Sequence, residues 1–217
     1  MTNTSQTIFK GHIQMKSKDV ILIAGYPGAG KGTICQQYSI KQPDFYHVSA
    51  GDLIRDIITQ KSNSSYREAL ITTGDKLTKT SPAWVISGII TERLKLDPNR
   101  VCLLDGFPQR KEELDIFAKA KDINIVGSIF FDASPENCIA RMQSRGIRDY
   151  ELFGRSLSNS ELSDYYQNRY IKYSKNVEFV EQLLKPYDLK HIDANNDIQN
   201  VYSQFEKIVS QFNQRRK

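Results

Sequence analysis

The chain has 217 residues, of which 39% are hydrophobic and 25% are charged, and its formal net charge at pH 7 is +5. This composition predicts one globular domain of ordinary size and excludes a disordered or collagen-like chain. The positive charge suits polyanionic partners, but the Lys and Arg residues form no long basic run that would indicate nucleic acid.

Residues 1–18 are predicted to form a flexible polar leader, because they lack the apolar core and the cleavage site of a secretory signal. No apolar run approaches the roughly 20 residues that a bilayer span needs. Cys35, Cys102 and Cys138 lie far apart, with no C-x-x-C pair, which favours a reducing compartment over a disulfide framework. We therefore expect a cytoplasmic protein with no membrane partner, in which residues 19–217 form a single domain.

Short apolar runs alternate with helical patterns along the rest of the chain. The runs predicted as buried strands are 19–24 (DVILIA), 45–49 (FYHVS), 100–105 (RVCLLD), 123–132 (INIVGSIFFD) and 189–193 (LKHID). The predicted helices are 31–40, 51–60, 64–74, one with Ser81 as cap and Pro82 in its first turn, one within 109–120, 134–146, 161–184 and 196–213. This alternation predicts a five-stranded parallel sheet with helices on both faces.

Polar segments follow four of these strands, at the sheet edge where parallel sheets bind their ligands. They are GYPGAGKGT (25–33), SAGD (49–52), DGFP (105–108) and DASPE (132–136). The sequence therefore predicts a ligand site at the carboxyl ends of the strands.

The segment Gly25–Thr33 nearly fits the phosphate-binding pattern G-x-x-x-x-G-K-[ST]. Its backbone N–H groups can converge on one phosphate, and Lys31 adds a mobile positive charge. The hydroxyl that usually ligates magnesium comes one place late, because Gly32 follows the lysine. We therefore expect Mg²⁺ to be held by nucleotide phosphates and water, with the carboxylates of Asp105 and Asp52 acting through that water.

Together these segments resemble the adenylate kinase family of nucleoside monophosphate kinases, in the family's order and over most of residues 20–205. The phosphate loop matches the family's G-x-P-G-x-G-K-G-T at every fixed position, including Pro27. LLDGFP resembles the family's Asp-Gly-Phe-Pro signature, whose Phe–Pro bond is typically cis. The segments similar to the monophosphate entry and to the two lid-flanking helices are HVSAGDLIR (47–55), FFDASPENCIARMQSRG (130–146) and QNRYIKY (167–173).

The resemblance implies a P-loop NTPase-type three-layer α/β fold with two small inserts. These are a monophosphate-binding insert at about 50–80 and a short, cysteine-free lid at about 146–160. It also implies transfer of the γ-phosphoryl group of ATP to a nucleoside monophosphate, with Mg²⁺ as cofactor. We expect a monomer whose partners are ATP and a monophosphate, with no specific nucleic acid. The alternative is a catalytically impaired nucleotide-binding protein of the same family.

The matching segments also imply the site residues. Those expected to bind ATP are Gly25, Pro27, Gly28, Ala29, Gly30, Lys31, Gly32, Thr33, Arg141 and Arg145. Those expected to bind the monophosphate are Ser49, Ala50, Gly51, Asp52, Arg55, Gly106, Phe107, Pro108 and Glu113. The cations expected to surround the transferring phosphoryl group are Lys31, Arg110, Arg155 and Arg169.

Two departures from the family pattern leave assignments open. The family has arginine directly after Asp-Gly-Phe-Pro, where this chain has Gln109 followed by Arg110. Either Arg110 replaces the missing arginine, which is the preferred interpretation, or one phosphate contact is lost. The lid pattern G-R-x-D-D is also incomplete, so the lid arginine is Arg155 or, alternatively, Arg148.

The base of the acceptor is open as well. Ala50 makes the SAGD segment similar to that of UMP/CMP kinases, although some adenylate kinases share the alanine. The resemblance implies a base-reading residue a fixed distance after that missing arginine, which is Glu113 if the count starts at Gln109. Because a carboxylate accepts from the amine of adenine or cytosine and repels the uracil carbonyl, we expect AMP or CMP rather than UMP.

Overall fold

The computed structural model describes residues 17–59, Tyr66, Leu70, 82–145 and 158–215. Residues 1–16 of the predicted leader, most of the helix at 64–74 and nearly all of the predicted lid, with Arg148 and Arg155, lie outside the described residues. Tyr66 and Leu70, which belong to that predicted helix, are helical. The leader prediction is wrong at Lys18, which is buried and begins the first strand, because its side chain bonds to main-chain carbonyls of Asp97 and Arg100.

Five parallel strands form the sheet, in the order β2-β3-β1-β4-β5. They are β1 Lys18–Gly25, β2 Phe45–Ser49, β3 Val101–Asp105, β4 Ile123–Asp132 and β5 Leu189–Asp193. Each agrees with its predicted strand to within one residue at either end. The central strand β1 is almost entirely buried, as expected for a parallel sheet that is covered on both faces.

Eight α-helices are described. They are α1 Lys31–Lys41, α2 Ala50–Thr59, α3 Ala83–Lys95, α4 Lys111–Ala118, α5 Pro135–Arg145, α6 Asn159–Ser174, α7 Val177–Leu184 and α8 Ile198–Gln214. None of the helices in the described part of the chain is long and apolar enough to cross a membrane.

Two helix predictions are wrong in detail. The single helix expected over 161–184 is two helices, since the chain leaves helical hydrogen bonding at Lys175 and Asn176, and Asn176 precedes α7 without a side-chain cap. Asn is more favourable at a helix end than in a helix interior, where its side chain competes for backbone hydrogen bonds. Pro82 is the residue before α3 rather than part of its first turn, with ψ at 137°, and Ser81 lies outside the described residues.

The core lies in two layers, one on each face of the sheet. Val20 and Leu22 of β1 pack in the layer that contains α3, α4 and α7. Ile21 and Ile23 pack in the layer that contains α1 and α8. Successive side chains of a strand point to opposite faces, so the β1 run supplies both cores and fixes a three-layer α/β fold.

Candidate active site

A cavity of about 1760 Å³ opens at the carboxyl edge of the sheet. Its walls come from the loop after β1, the first turns of α2, the turn after β3, the end of α5 and one face of α6. The volume exceeds the roughly 300–1,000 Å³ of a pocket for one small ligand, so the cavity has room for two nucleotides.

The phosphate loop is fixed by close backbone packing. At Gly28 φ is +86°, and a Cβ there would come within 2.2 Å of the carbonyl oxygen of Cys138 on α5. Gly30 precedes α1 and has no side chain to cap that helix, so the first N–H groups of α1 remain for a phosphate.

The Lys31 side chain folds back onto the phosphate loop. Its Nζ donates to the carbonyl oxygens of Gly25 and Tyr26, at 2.9 Å each. An ammonium has three donors, so one remains for a phosphate oxygen. Burial lowers the pKa of Lys31, while the nearby Asp105 carboxylate raises it and helps to keep the charged form.

Gly32 leaves room beside Asp105 and His47. A Cβ at Gly32 would lie 3.5 Å from Asp105 Oδ2 and 3.8 Å from His47 Cε1, which is ordinary contact. His47 Nε2 is 3.6 Å from the same carboxylate oxygen. Within the described part of the chain, neither Asp105 Oδ1 nor His47 Nε2 has a hydrogen-bond partner, although both atoms are buried. This corner therefore holds unused hydrogen-bonding capacity next to the phosphate loop.

Another wall of the cavity is the start of α2. Ser49 precedes the helix, and its Oγ accepts from the backbone N–H of Asp52 at 3.2 Å. The Arg55 guanidinium pairs with the Asp52 carboxylate and lies over Gly51. Arg55 lines the cavity while it is paired with Asp52.

The turn between β3 and α4 is held by side-chain contacts. The peptide bond between Phe107 and Pro108 is cis, as is typical of the Asp-Gly-Phe-Pro signature. Gln109 donates its backbone N–H to Glu113 Oε2 at 2.9 Å, and Arg110 donates from Nε and Nη2 to Glu113 Oε1 at 2.9 and 2.7 Å. The Glu113 side chain is only 2% exposed, so this carboxylate is an anchor of the turn.

Helix α6 is packed against the phosphate loop by tyrosines. Tyr170 stacks on Tyr26, with ring centroids 5.2 Å apart, and the Tyr173 hydroxyl accepts from the Gly25 backbone N–H at 3.4 Å. Arg169 on the same helix lines the cavity and donates to the Tyr165 hydroxyl at 3.0 Å.

Most of the site residues expected from the sequence line this one cavity. Those that do are Gly25, Pro27, Gly28, Gly30, Lys31, Gly32, Thr33, Ser49, Ala50, Gly51, Asp52, Arg55, Asp105, Gly106, Phe107, Glu113, Arg141 and Arg169. Of the expected residues whose side chains are described, those outside the lining are Ala29, Pro108 and Arg110. The side chain of Arg145 is not described.

Two of the expected arginines have partners that bear on their roles. Arg141 donates to the carbonyl oxygen of Ala194 at 2.8 Å, which holds it at the cavity wall. Arg110 is paired with Glu113, whereas its neighbour Gln109 lines the cavity. A phosphate contact from Arg110 therefore requires its side chain to leave Glu113.

Sequence reasoning missed Lys172 and Tyr173, which also line the cavity. They lie three and four residues after Arg169 on α6, and such residues share a face of the helix. That spacing from an expected catalytic arginine was the available signal.

The chemical character of the cavity is cationic. Its lining includes Lys31, Arg55, Arg141, Arg169 and Lys172, together with the open N-terminus of α1. Such an arrangement can bind phosphate groups at more than one point and neutralise the charge that develops between them.

Comparisons with known proteins agree with this chemistry. A family model described as an AAA domain matches residues 24–152. UMP-CMP kinase of Sus scrofa is 30% identical to this chain over 199 residues, which is 87% of this chain and 95% of that protein. UMP-CMP kinase of Homo sapiens is 29% identical over 198 residues, with the same shares. Adenylate kinase of Streptococcus equi subsp. equi (strain 4047) is 27% identical over 212 residues, covering 87% of this chain and 97% of that protein.

Proposed function

The chain belongs to the adenylate kinase family, and we propose that it is a kinase that transfers the γ-phosphoryl group of ATP to a nucleoside monophosphate. The observation that carries this proposal is that the phosphate loop and the Arg55 wall face one cavity. Two phosphate-bearing ligands can therefore meet inside it. Nothing in the described site or in the comparisons favours the catalytically impaired alternative.

Phosphoryl transfer requires the protein mainly to position the two ligands and to neutralise charge. A phosphate monoester has a second pKa near 6, so the acceptor oxygen is already largely ionised at neutral pH and needs no strong general base. Lys31 and Arg169 would neutralise charge on the transferring group, and Arg55 would fix the acceptor phosphate. Arg155 and Arg110 remain predicted members of this set.

Magnesium fits the corner formed by Gly32 and Asp105. The buried Asp105 Oδ1 is without a hydrogen-bond partner among the described residues, and the missing side chain at Gly32 leaves space for hydration water beside Oδ2. Mg²⁺ keeps several waters and would supply charge neutralisation on the nucleotide phosphates. Asp52 is paired with Arg55, so Asp105 is the better supported carboxylate for holding that water.

We propose that the base of the acceptor lies near Glu113. Glu113 is among the residues that line the cavity, and both oxygens of its carboxylate already accept hydrogen bonds. A carboxylate oxygen has a further lone pair, so it can still accept from an exocyclic amine but cannot donate to a carbonyl. AMP and CMP are therefore the proposed acceptors. The cytoplasmic location and the monomeric state stay predictions from the sequence.

A coupled assay tests the proposed function. ATP and magnesium are mixed with AMP, CMP, UMP or GMP in separate reactions, and formation of the diphosphates is followed. We expect AMP or CMP to be phosphorylated fastest. Rates for all four monophosphates no higher than those of the Lys31→Ala variant would overturn the proposal.

A further inference from the structure

A second cluster of ligand-type side chains lies at the edge of the sheet, apart from the roles assigned above. Asp132 ends β4, His191 is on the edge strand β5, and Glu181 is on α7. One ligand atom from each of the three residues lies within 4.8 Å of the others. The three side chains converge from three different elements, so no local turn or helix repeat accounts for their meeting.

The fold holds the cluster in place. Asp132 and His191 come from adjacent parallel strands, in which Phe130 pairs with His191 and Asp132 pairs with Asp193. On α7 the neighbours Val180 and Leu184 are buried in the core, which fixes the rotation of the helix and brings Glu181 to the sheet edge. The backbone around all three positions is therefore rigid.

The cluster brings two carboxylates together beside one imidazole. His191 Nδ1 lies 2.7 Å from Asp132 Oδ2, and within the described ranges neither carboxylate forms an ion pair with a Lys or Arg. Two carboxylates this close repel each other, and a bound cation would relieve that repulsion. Burial raises the pKa of the nearby Tyr26, and the charges of Asp132 and Glu181 raise it further.

We propose that Asp132, Glu181 and His191 bind a divalent first-row transition metal ion of the Zn²⁺ class, with water completing the coordination. One imidazole nitrogen and two carboxylate oxygens are ligands that Zn²⁺ accepts, and three protein ligands with an open position form a known zinc arrangement. The imidazole favours Zn²⁺ over Mg²⁺ and Ca²⁺, which prefer oxygen ligands only. His191 and Asp132 are 47% and 43% exposed, so an ion can reach them.

The ion would join α7 to the edge of the sheet. Helix α7 follows α6, whose tyrosines contact the phosphate loop. The bound ion would therefore stabilise the wall of the cavity that carries Arg169. The site lies outside the cavity lining, and the proposal does not depend on the reaction that the cavity carries out.

The cysteines are poor competitors for the ion. Cys35, Cys102 and Cys138 are buried, and burial raises the pKa of Cys138 to about 11 and of Cys102 to about 12. Metals bind the thiolate form, which this burial disfavours. A bound Zn²⁺ is therefore expected at the imidazole and carboxylates.

The test is direct metal binding to the full chain without nucleotide. The protein is titrated with Co²⁺, whose visible absorption reports the ligand set, and Zn²⁺ is then used to displace it. We expect one equivalent to bind, and we expect Glu181→Gln and His191→Asn each to weaken binding at least about tenfold. Glu178→Gln, an exposed residue on the same helix, is the matched control and should bind as the parent does.

Melting curves with and without Zn²⁺ give a second measurement. Because an ion that binds only the folded state stabilises it by mass action, Zn²⁺ should raise the Tm of the parent and of Glu178→Gln but not of the two ligand variants. Circular dichroism without metal checks that each variant is folded. Absence of binding in the parent would leave an ordinary Asp–His hydrogen bond and overturn the proposal. Equal affinity in the ligand variants would place the ion elsewhere and overturn it as well.

Discussion

The phosphate loop and the turn between β3 and α4 reach the same cavity, but different parts of the chain specify them. The loop depends on backbone, since Gly28 packs directly against α5 and Lys31 bonds to main-chain carbonyls. The turn depends on one side chain, since the Glu113 carboxylate accepts from the Gln109 backbone N–H and from the Arg110 guanidinium. A substitution at Glu113 is therefore expected to alter the turn while the backbone packing of the loop stays unchanged.

The largest expected loss of activity comes from removing the positive charge of Lys31 in the phosphate loop. Lys31→Ala removes the ammonium that we propose neutralises the transferring phosphoryl group, and kcat should fall by about 10²–10³-fold. The coupled assay measures this loss. Lys207→Ala, on the exposed side of α8, is the charge-matched control and should keep the parent rate. A Lys31→Ala rate within a few fold of the parent would contradict a charge-based role for the loop.

The backbone dependence of the loop is tested at its glycines. In Gly28→Ala the new Cβ meets the Cys138 carbonyl, at a φ that L side chains rarely adopt. We expect a loss of about 1–3 kcal/mol in the free energy of unfolding, or about 2–4 °C in Tm for each kcal/mol. Gly30→Ala has the same kind of φ, +89°, but its Cβ meets open space. Thermal denaturation should therefore show a smaller loss for Gly30→Ala, and equal losses would mean that packing against α5 is unimportant.

At the turn between β3 and α4, a substitution is expected to raise the activity rather than lower it. Gln109 lines the cavity, so Gln109→Arg adds a charged phosphate contact there and should raise kcat/KM about tenfold. Steady-state kinetics measure the change. Arg110→Gln is the companion variant, and its kcat/KM should fall much less than tenfold while Arg110 stays on Glu113. A large loss in Arg110→Gln with no gain in Gln109→Arg would show that Arg110 already supplies the missing arginine.

The smallest expected effect is on the preference for the base of the acceptor monophosphate. Glu113→Gln replaces a group that only accepts with an amide that also donates, so the kcat/KM ratio of UMP to CMP should rise by about 2–10-fold. The adjacent Glu112→Gln, exposed on the first turn of α4, is the control. An unchanged ratio would mean that Glu113 only anchors the turn.

The strands and the loop were predictable because their signals are local. Four of the five strands end in glycine or aspartate, and the phosphate loop needs its glycines at fixed positions. The split between α6 and α7 was missed because the helical pattern continues through Lys175 and Asn176 without a glycine or proline to interrupt it. The pairing of Arg110 with Glu113 was also missed, since choosing among hydrogen-bond partners depends on packing that one sequence does not display.

The cluster of Asp132, Glu181 and His191 was also not predictable from the sequence, because its residues lie far apart along the chain. These residues lie in three elements, and their meeting depends on the sheet order and on the rotation of α7. No spacing in the sequence encodes that meeting. The parts of the site that follow from the backbone were therefore predictable, and the parts that follow from tertiary placement were not.

The tyrosine contacts between α6 and the phosphate loop have a consequence for how the two ligands sense each other. Tyr26 follows Gly25 directly, so the stack on Tyr170 and the hydrogen bond to Tyr173 join loop and helix at adjacent residues. We therefore expect loop and helix to be held as one unit, so that a ligand bound at the loop also stabilises the position of the helix that carries Arg169. If binding at the loop changes the affinity at Arg169, thermodynamic reciprocity requires the ligand at Arg169 to change the affinity of the loop by the same factor.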